Sequence, residues 1–299
     1  MADPTATPPS APTITVSWVD GELLAPGEAA LRADDHAVVV GDGVFETTKV
    51  IDGVPFALSR HLRRLERSAL GLGIGEPSEG RIRSAIDAVL DAGRDAGLLR
   101  ITWSSGSGPL GSGRGDGPGT LVVSTSAANT WPEAERVHLV PWARNEHGAL
   151  TGLKTTSYAE NALALATAKR VGCTEALFRN TAGMLCEGTG TNVFVVVDGR
   201  LVTPPLSSGC LAGITRELVL ELAGSGSLGA TVDGVEVRDV DPQELRTAEE
   251  AFLTSATRNV SAISEVTGEL EASFDPAPGP VTARLAAAFD ELETSTVDP

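Results

Sequence analysis

The chain has 299 residues, 41% of them hydrophobic and 21% charged, with a net charge of -17. That length allows a sizeable core and one or two domains, while the acidity argues against nucleic acid as a partner, since phosphate backbones need a basic surface. No apolar run reaches the roughly 18 residues of a membrane span, and Cys173, Cys186 and Cys210, odd in number and without CxxC spacing, indicate a reducing, cytoplasmic setting and no disulfide framework.

Residues 1–12 are rich in Pro, Ala and Thr, lack an apolar h-region, and read as a disordered tail. Residues 13–19 alternate apolar and polar, and Asp20-Gly21 turns them into a hairpin. Gly43–Ile51 and 54–58 pair around Asp52-Gly53. Leu62, Leu65, Ala69 and Leu70 give 61–72 helical spacing, as Ile82, Ile86, Val89 and Leu90 do for 79–96. Strands at 99–104 and 120–126 flank a glycine-rich loop at 106–119, and another strand follows at 136–142. The pattern loosens between Asn129 and Leu150. The expected division is therefore a small domain over 13–128, an interdomain loop over 129–150 and a large domain over 151–299. Within the large domain 160–171 is helical. Hairpins follow at 175–187 and 192–203, then a helix at 213–223, a strand at 251–255 and an amphipathic helix at 281–292. Runs of strands flanked by helices indicate an α+β protein.

Three lysines, Lys49, Lys154 and Lys169, stand against twenty arginines. Genomic base composition is the bland account of their rarity, and it says nothing of their places. Lys154 sits where a loop turns into an alanine-rich helix. A lysine amine condenses with an aldehyde, and pyridoxal 5'-phosphate (PLP) is the common aldehyde cofactor. PLP also needs an anion beside its ring nitrogen and a cradle for its phosphate. Glu187 is a candidate for the first, although alone it reads better as a turn acid. For the second, Gly213 opens a helix at Ile214-Thr215, whose free N–H groups and dipole attract a dianion. The 252–257 strand ends in small residues, Ser255, Ala256 and Thr257, and Arg64 offers a bidentate guanidinium. The bland alternatives are a strand-end turn and, with Arg60, Arg63 and Arg67, a solvated helix face. Tyr158, the single tyrosine, shares a face with Lys154 if the helix has already begun.

In order and spacing, Gly41-Asp42-Gly43-Val44-Phe45-Glu46, His61-Leu62-Arg63-Arg64-Leu65, Lys154 to Tyr158, Glu187 to Phe194, Thr203-Pro204-Pro205 and Leu211 to Arg216 together resemble the class IV aminotransferases. The resemblance runs from about residue 14 to about residue 290. It implies the fold-type IV architecture: two α/β domains with PLP at their junction, in a homodimer whose site a neighbouring loop completes. By the same resemblance, Lys154 bonds the cofactor and shuttles the proton, Glu187 holds the ring nitrogen and Leu211 packs on the ring. Tyr158 bonds the phenolic oxygen. Arg64, Ile214, Thr215 and Thr257, with Ala256 beside them, hold the phosphate.

Phe45, Thr47 and Lys49 lie on the strand that lines the substrate pocket in this family. Thr47 and a cation at 49 look like aminodeoxychorismate lyase, as do Ser105 to Gly108 and Gly113 to Gly115, yet Ser105 replaces an expected arginine. The Arg-x-His clamp of D-amino-acid transaminases is absent. So are the tyrosine and arginine of the branched-chain pattern, at the places of Val40 and Lys49. Transamination between an amino acid (D- or branched-chain type, or an (R)-amine) and a 2-oxo acid is the leading expectation. Cleavage of 4-amino-4-deoxychorismate to 4-aminobenzoate and pyruvate is the alternative, and PLP binding without catalysis a distant third.

Overall fold

A computed structural model describes residues 14–28, 31–93, 95–226 and 232–299. The tail expected over 1–12 lies outside the described residues, as does Thr13. The first half comprises β1 (Ile14–Val19), β2 (Glu22–Leu24), a short α1 (His36–Val39), β3 (Gly43–Ile51), β4 (Val54–Pro55), α2 (Leu58–Leu72), α3 (Glu79–Ala92), β5 (Leu98–Ser104) and β6 (Thr120–Ser126). Its strands form one sheet in the order β2-β1-β6-β5-β3-β4. The second half comprises β7 (Ala134–Arg144), α4 (Ala159–Arg170), β8 (Glu175–Asn180), β9 (Leu185–Gly188), β10 (Asn192–Val197), β11 (Arg200–Thr203), α5 (Ile214–Gly224), β12 (Gly234–Val237), β13 (Glu250–Ser255), β14 (Asn259–Gly268), β15 (Ala272–Ser273) and α6 (Pro280–Ser295). Here the sheet order is β12-β11-β10-β13-β14-β7-β8-β9, with β15 paired to β14. Helices packed on an antiparallel sheet in the first half and a mixed sheet in the second make this an α+β protein, as the pattern of strands and helices indicated.

β3 shows how the sequence sets the geometry. Side chains alternate along a strand, so Val44, Glu46, Thr48 and Val50 share one face and Phe45, Thr47 and Lys49 the other. The first set meets α2, where Val44 and Val50 join Leu62, Leu65 and Ala69 in a core with Ile86 and Val89 of α3 and Leu99 and Ile101 of β5. Each such valine, leucine or isoleucine contributes about 1.5–3 kcal/mol by leaving water. The second sheet is apolar on both faces. Val137, Leu177, Val193, Leu253 and Ile263 pack on one side. On the other, Phe194 and Phe252 stack at 4.9 Å beneath α5 and α6. Phe56 and Ala57, at the entry to α2, are buried in that same cluster.

Three expectations need correction. The 129–150 stretch is not a loop throughout: the strand expected at 136–142 is present as the longer β7, which pairs in parallel with both β8 and β14. β14 went unread: its serines, threonine and glutamate break the apolar alternation, although Val260, Ala262 and Ile263 are buried. Finally, α4 begins at Ala159 with Tyr158 as its N-cap, so Lys154 lies outside the helix and shares no helical face with Tyr158.

Candidate active site

Lys154 belongs to the second half of the chain, but its backbone is held by the first. Its carbonyl accepts from Phe45 N at 3.0 Å, its own N–H donates to Ser68 Oγ at 3.2 Å, and Thr156 N donates to Gly43 O at 2.8 Å. The 154–156 stretch thus runs along β3 as an added rung. Gly43 permits this approach, since a Cβ there would stand 2.9 Å from Trp103 O and 3.1 Å from Thr156 Oγ1. The Lys154 ammonium lies 4.4 Å from the Phe45 ring centroid and 5.9 Å from that of Tyr158. Burial, then the charges of Arg64 and Arg100, push its pKa down to about 8, against the opposing pull of Glu46 and Glu187. A lowered pKa leaves more of the amine unprotonated and nucleophilic near neutrality.

Lys154 lines a cavity of about 370 Å³, a volume suited to a small-molecule site. Around it stand Thr47, Arg64, Tyr158, Glu187, Leu211, Ile214, Thr215, Ala256 and Thr257. Chain segments far apart in sequence therefore bring ten of the twelve candidate residues to one cavity. Phe45 lies against its lysine. Lys49 is the exception, and its assignment to the substrate is corrected by its partner. Lys49 Nζ is bound by both oxygens of Glu293 on α6, at 3.1 Å each, and Asn259 donates to the same carboxylate at 2.8 Å. An ammonium held this way braces β3 to α6 and is not among the residues lining the cavity.

Glu187, on β9, accepts from Leu211 N at 2.9 Å and lies 3.3 Å from Arg144 Nε. Burial pushes its carboxyl up, and Arg144, the Leu211 amide and Lys154 offset only part of that. Arg144 Nε is buried without a hydrogen-bond partner among the described residues. The arginine stacks over Phe178 at 4.4 Å and donates to Glu160 and Asn161. Tyr158 packs edge-on to Phe45 and donates to Thr189 O at 2.8 Å.

At the other end, α5 starts at Ile214 with Gly213 as its N-cap and no side-chain cap, so its first N–H groups are free for an anion. A Cβ at 213 would stand 1.9 Å from Asn192 Oδ1, so a larger residue would have to displace Asn192, whose amide donates to Leu211 O at 2.9 Å. Arg64 Nη1 reaches across to Ala212 O at 2.9 Å. Thr254 Oγ1 lines the cavity, buried and without a partner among the described residues. An uncapped helix start, an orphaned hydroxyl and an arginine at one end, with a buried acid at the other, fit the two poles of PLP.

Several residues at the site carry no role in the sequence reading. Glu46 is buried on β3 and accepts from Arg64 Nε and Nη2, both at 2.7 Å, while His61 Nδ1 lies 2.7 Å from it. Burial pushes its carboxyl up, but Arg64 and His61 outweigh this and hold it at about 2. Its signal was available: an acid on the inward face of an apolar strand demands a buried cation. Arg100 pairs in register with Thr47 across β3 and β5, which places it on the cavity-side face. Its guanidinium lies 3.8 Å from the Phe45 centroid and makes no ion pair among the described residues. Arg144 has no comparable signal, being one arginine of twenty at the end of a strand.

The family model for amino-transferase class IV matches residues 43–266. A putative branched-chain-amino-acid aminotransferase of Methanocaldococcus jannaschii is 30% identical over 285 residues, 93% of this chain and 96% of that protein. A bifunctional aminodeoxychorismate lyase / D-amino acid transaminase of Mycobacterium tuberculosis is 31% identical over 252 residues, 75% and 83% of the two chains. The branched-chain aminotransferase of Thermoproteus uzoniensis, solved with norvaline, superposes with a TM-score of 0.81 at 27% identity, covering 93% of this chain and 94% of that one. Another solved branched-chain amino acid aminotransferase of this fold holds pyridoxamine 5'-phosphate. The chain belongs to the class IV aminotransferases, PLP-dependent enzymes of fold type IV.

Proposed function

We propose that this chain is a transaminase that moves an amino group between an amino acid, of D- or branched-chain type, and a 2-oxo acid, with (R)-amines as a further substrate class. What carries the reading is a single cavity that joins Lys154, its amine partly unprotonated near neutrality, to Glu187 at one pole and the α5 N-terminus at the other. Bound there, PLP supplies the aldehyde that accepts the amino group and the ring that withdraws electrons from the substrate Cα. Lys154 provides the amine for the cofactor and, once released from it, the base that would carry the proton between the substrate Cα and the cofactor's C4′. Glu187 holds the ring-nitrogen proton in place. Tyr158 orients the phenolic edge, Leu211 packs on the ring, and Arg64, Ile214, Thr215 and Thr257, with Ala256 beside them, hold the phosphate. Phe45 and Thr47 border the substrate, and Arg100, a cation without an acid partner among the described residues, takes its carboxylate.

Thr47 supports a second reading, aminodeoxychorismate cleavage. It lines the cavity, and the Mycobacterium tuberculosis relative carries both activities in its name. Incubating the PLP-loaded protein separately with D-alanine, L-leucine and aminodeoxychorismate tests both. Oxo-acid formation from either amino acid, dependent on a 2-oxo acid acceptor, supports transamination; 4-aminobenzoate alone would overturn it.

We take the working unit to be a homodimer. Val38, Val40, Leu110 and Leu150 are exposed apolar residues, and Val40 and Leu150 share one groove, as expected of a surface that another copy covers. A fully active monomer by sedimentation would refute this. Among the described residues no helix is long and apolar enough to cross a membrane.

A further inference from the structure

We propose that Arg258 is a positioning residue that, through Glu175, ties together the two loops bordering the cavity and sets the phosphate side of the site. The proposal rests on the reading above that the 254–257 loop faces the cofactor phosphate.

The two loops come from different strands. One, Gly188 to Thr191, follows Glu187. Its Thr189 donates to Glu175 Oε1 through both N–H, at 3.2 Å, and hydroxyl, and Thr191 Oγ1 donates to Glu175 Oε2 at 3.5 Å. Thr189 O in turn accepts from Tyr158 and Asn161. The other loop, Thr254 to Thr257, leads into Arg258, whose N–H donates to Ser255 Oγ at 3.2 Å. Both loops line the cavity.

The Arg258 guanidinium is where they meet. Nη2 lies 3.5 Å from Glu175 Oε2 and Nη1 lies 3.7 Å from Glu135 Oε1. Both contacts are longer than a formed charge-assisted hydrogen bond, so the cation is shared between two acids and locked on neither. All three side chains are buried, at 5% exposure for Arg258, 2% for Glu175 and 0% for Glu135. Hydroxyls complete the acids: Thr174 and Ser261 donate to Glu135. Trp131 lies over the guanidinium at 4.0 Å and donates its indole N–H to Thr257 O at 2.8 Å. None of these three charged groups lines the cavity, so any effect on the cofactor must pass through the loops.

In such a buried cluster, a cation that faces two acids cannot be removed without leaving like charges opposed. The acids would then separate, and the two loops with them. Lysine at 258 keeps the charge but lacks the fork that reaches both acids at once.

The test compares two ligands that differ only in phosphate. PLP and pyridoxal are titrated separately into the apo protein, following absorbance and tryptophan fluorescence. Wild type should bind PLP much more tightly than pyridoxal. Arg258→Met should raise the PLP Kd about tenfold or more and change the pyridoxal Kd by less than about threefold, with Arg258→Lys in between. Glu175→Gln should weaken both ligands, because its loop adjoins the ring acid. If Arg258→Met does not fold, Arg258→Lys decides. An unchanged PLP Kd, or equal weakening of both ligands, in the soluble Arg258 variant overturns the proposal. Equal affinity of wild type for the two ligands overturns the phosphate reading itself, and the proposal with it.

Discussion

Replacing Lys154 with methionine should make the apo protein more stable. The lysine pKa falls from 10.5 to about 8 on folding, chiefly through burial and then the nearby Arg64 and Arg100 charges. At 1.36 kcal/mol per pKa unit, that corresponds to a penalty of roughly 3 kcal/mol for holding the charged amine in the fold. Lys154 also lines the cavity, where water screens it, so about 2 kcal/mol is the working figure. The sign follows from the direction of the change. Below about pH 8 the amine is charged in both folded and unfolded states, and the full penalty applies. Between about 8 and 10.5 the folded protein loses its proton while the unfolded chain keeps it, so wild-type stability rises with pH through this window. Methionine keeps the apolar stem and removes the charge. Urea unfolding of the two apo proteins should therefore show Lys154→Met ahead by about 2 kcal/mol at pH 7, with the gap closing as pH approaches 10.5. Tyr158, pushed up to about 12, adds a pH dependence of its own, but to both proteins alike. A variant no more stable than wild type at pH 7, or a gap that does not change with pH, would refute the reasoning.

Glu187→Gln removes the carboxylate charge that would face the ring nitrogen but preserves shape. Turnover should fall by roughly 10²-fold, for about 3 kcal/mol of lost electrostatic stabilisation, while PLP binding persists; near-normal turnover would mean another group serves the ring. Arg100→Met should raise KM for amino acids and leave KM for amines without a carboxylate unchanged, and a uniform rise would separate Arg100 from the carboxylate. Lys49→Met should leave every KM in place and lower the melting temperature by a few degrees, since it breaks the brace to Glu293. A substrate-dependent KM in that variant would return Lys49 to the pocket.

How much of this was legible depended on the range of the interactions. The hairpin at Asp20-Gly21, α2, α5 and α6 follow from periodicity and turn residues within a dozen positions. The cavity residues Lys154, Glu187 and Ile214-Thr215 were found because motifs preserve their order, although the contacts that join them span the whole chain. What stayed hidden is what pairing across strands decides. Arg100 reaches the cavity-side face only because β5 meets β3 in a register that sets it opposite Thr47. Lys49 shares that face by alternation, and was expected in the pocket, but 244 residues later α6 presents Glu293. β14 carries no such pattern, because Ser261, Ser264, Glu265 and Thr267 interrupt its apolar residues and leave neither an alternation nor a continuous apolar run.

The charge at the site answers a problem set by the whole molecule. A chain with a net charge of -17 repels phosphorylated and carboxylate-bearing ligands at long range. Arg64, Arg144 and Lys154 reverse that sign on the cavity lining, with Arg100 behind them against Phe45, and each cation is controlled differently. Arg64 is fixed by Glu46, and Arg144 is shared between Glu160 and Glu187. Lys154 is pushed towards neutrality by burial and by the arginines around it. Arg100, like Lys154, makes no ion pair among the described residues, but its guanidinium keeps its charge. A fixed cation suits a permanent phosphate, a shared one tunes an acid, a nearly neutral amine suits bond formation, and an unpaired one suits a carboxylate that comes and goes with each turnover. Lysine could not replace Arg64, because only a planar fork can grip both oxygens of Glu46 and still reach the start of α5. Arginine could not replace Lys154, because a guanidinium stays protonated and offers no nucleophile. The scarcity of lysine in this sequence thus reflects composition, but the one at 154 reflects chemistry.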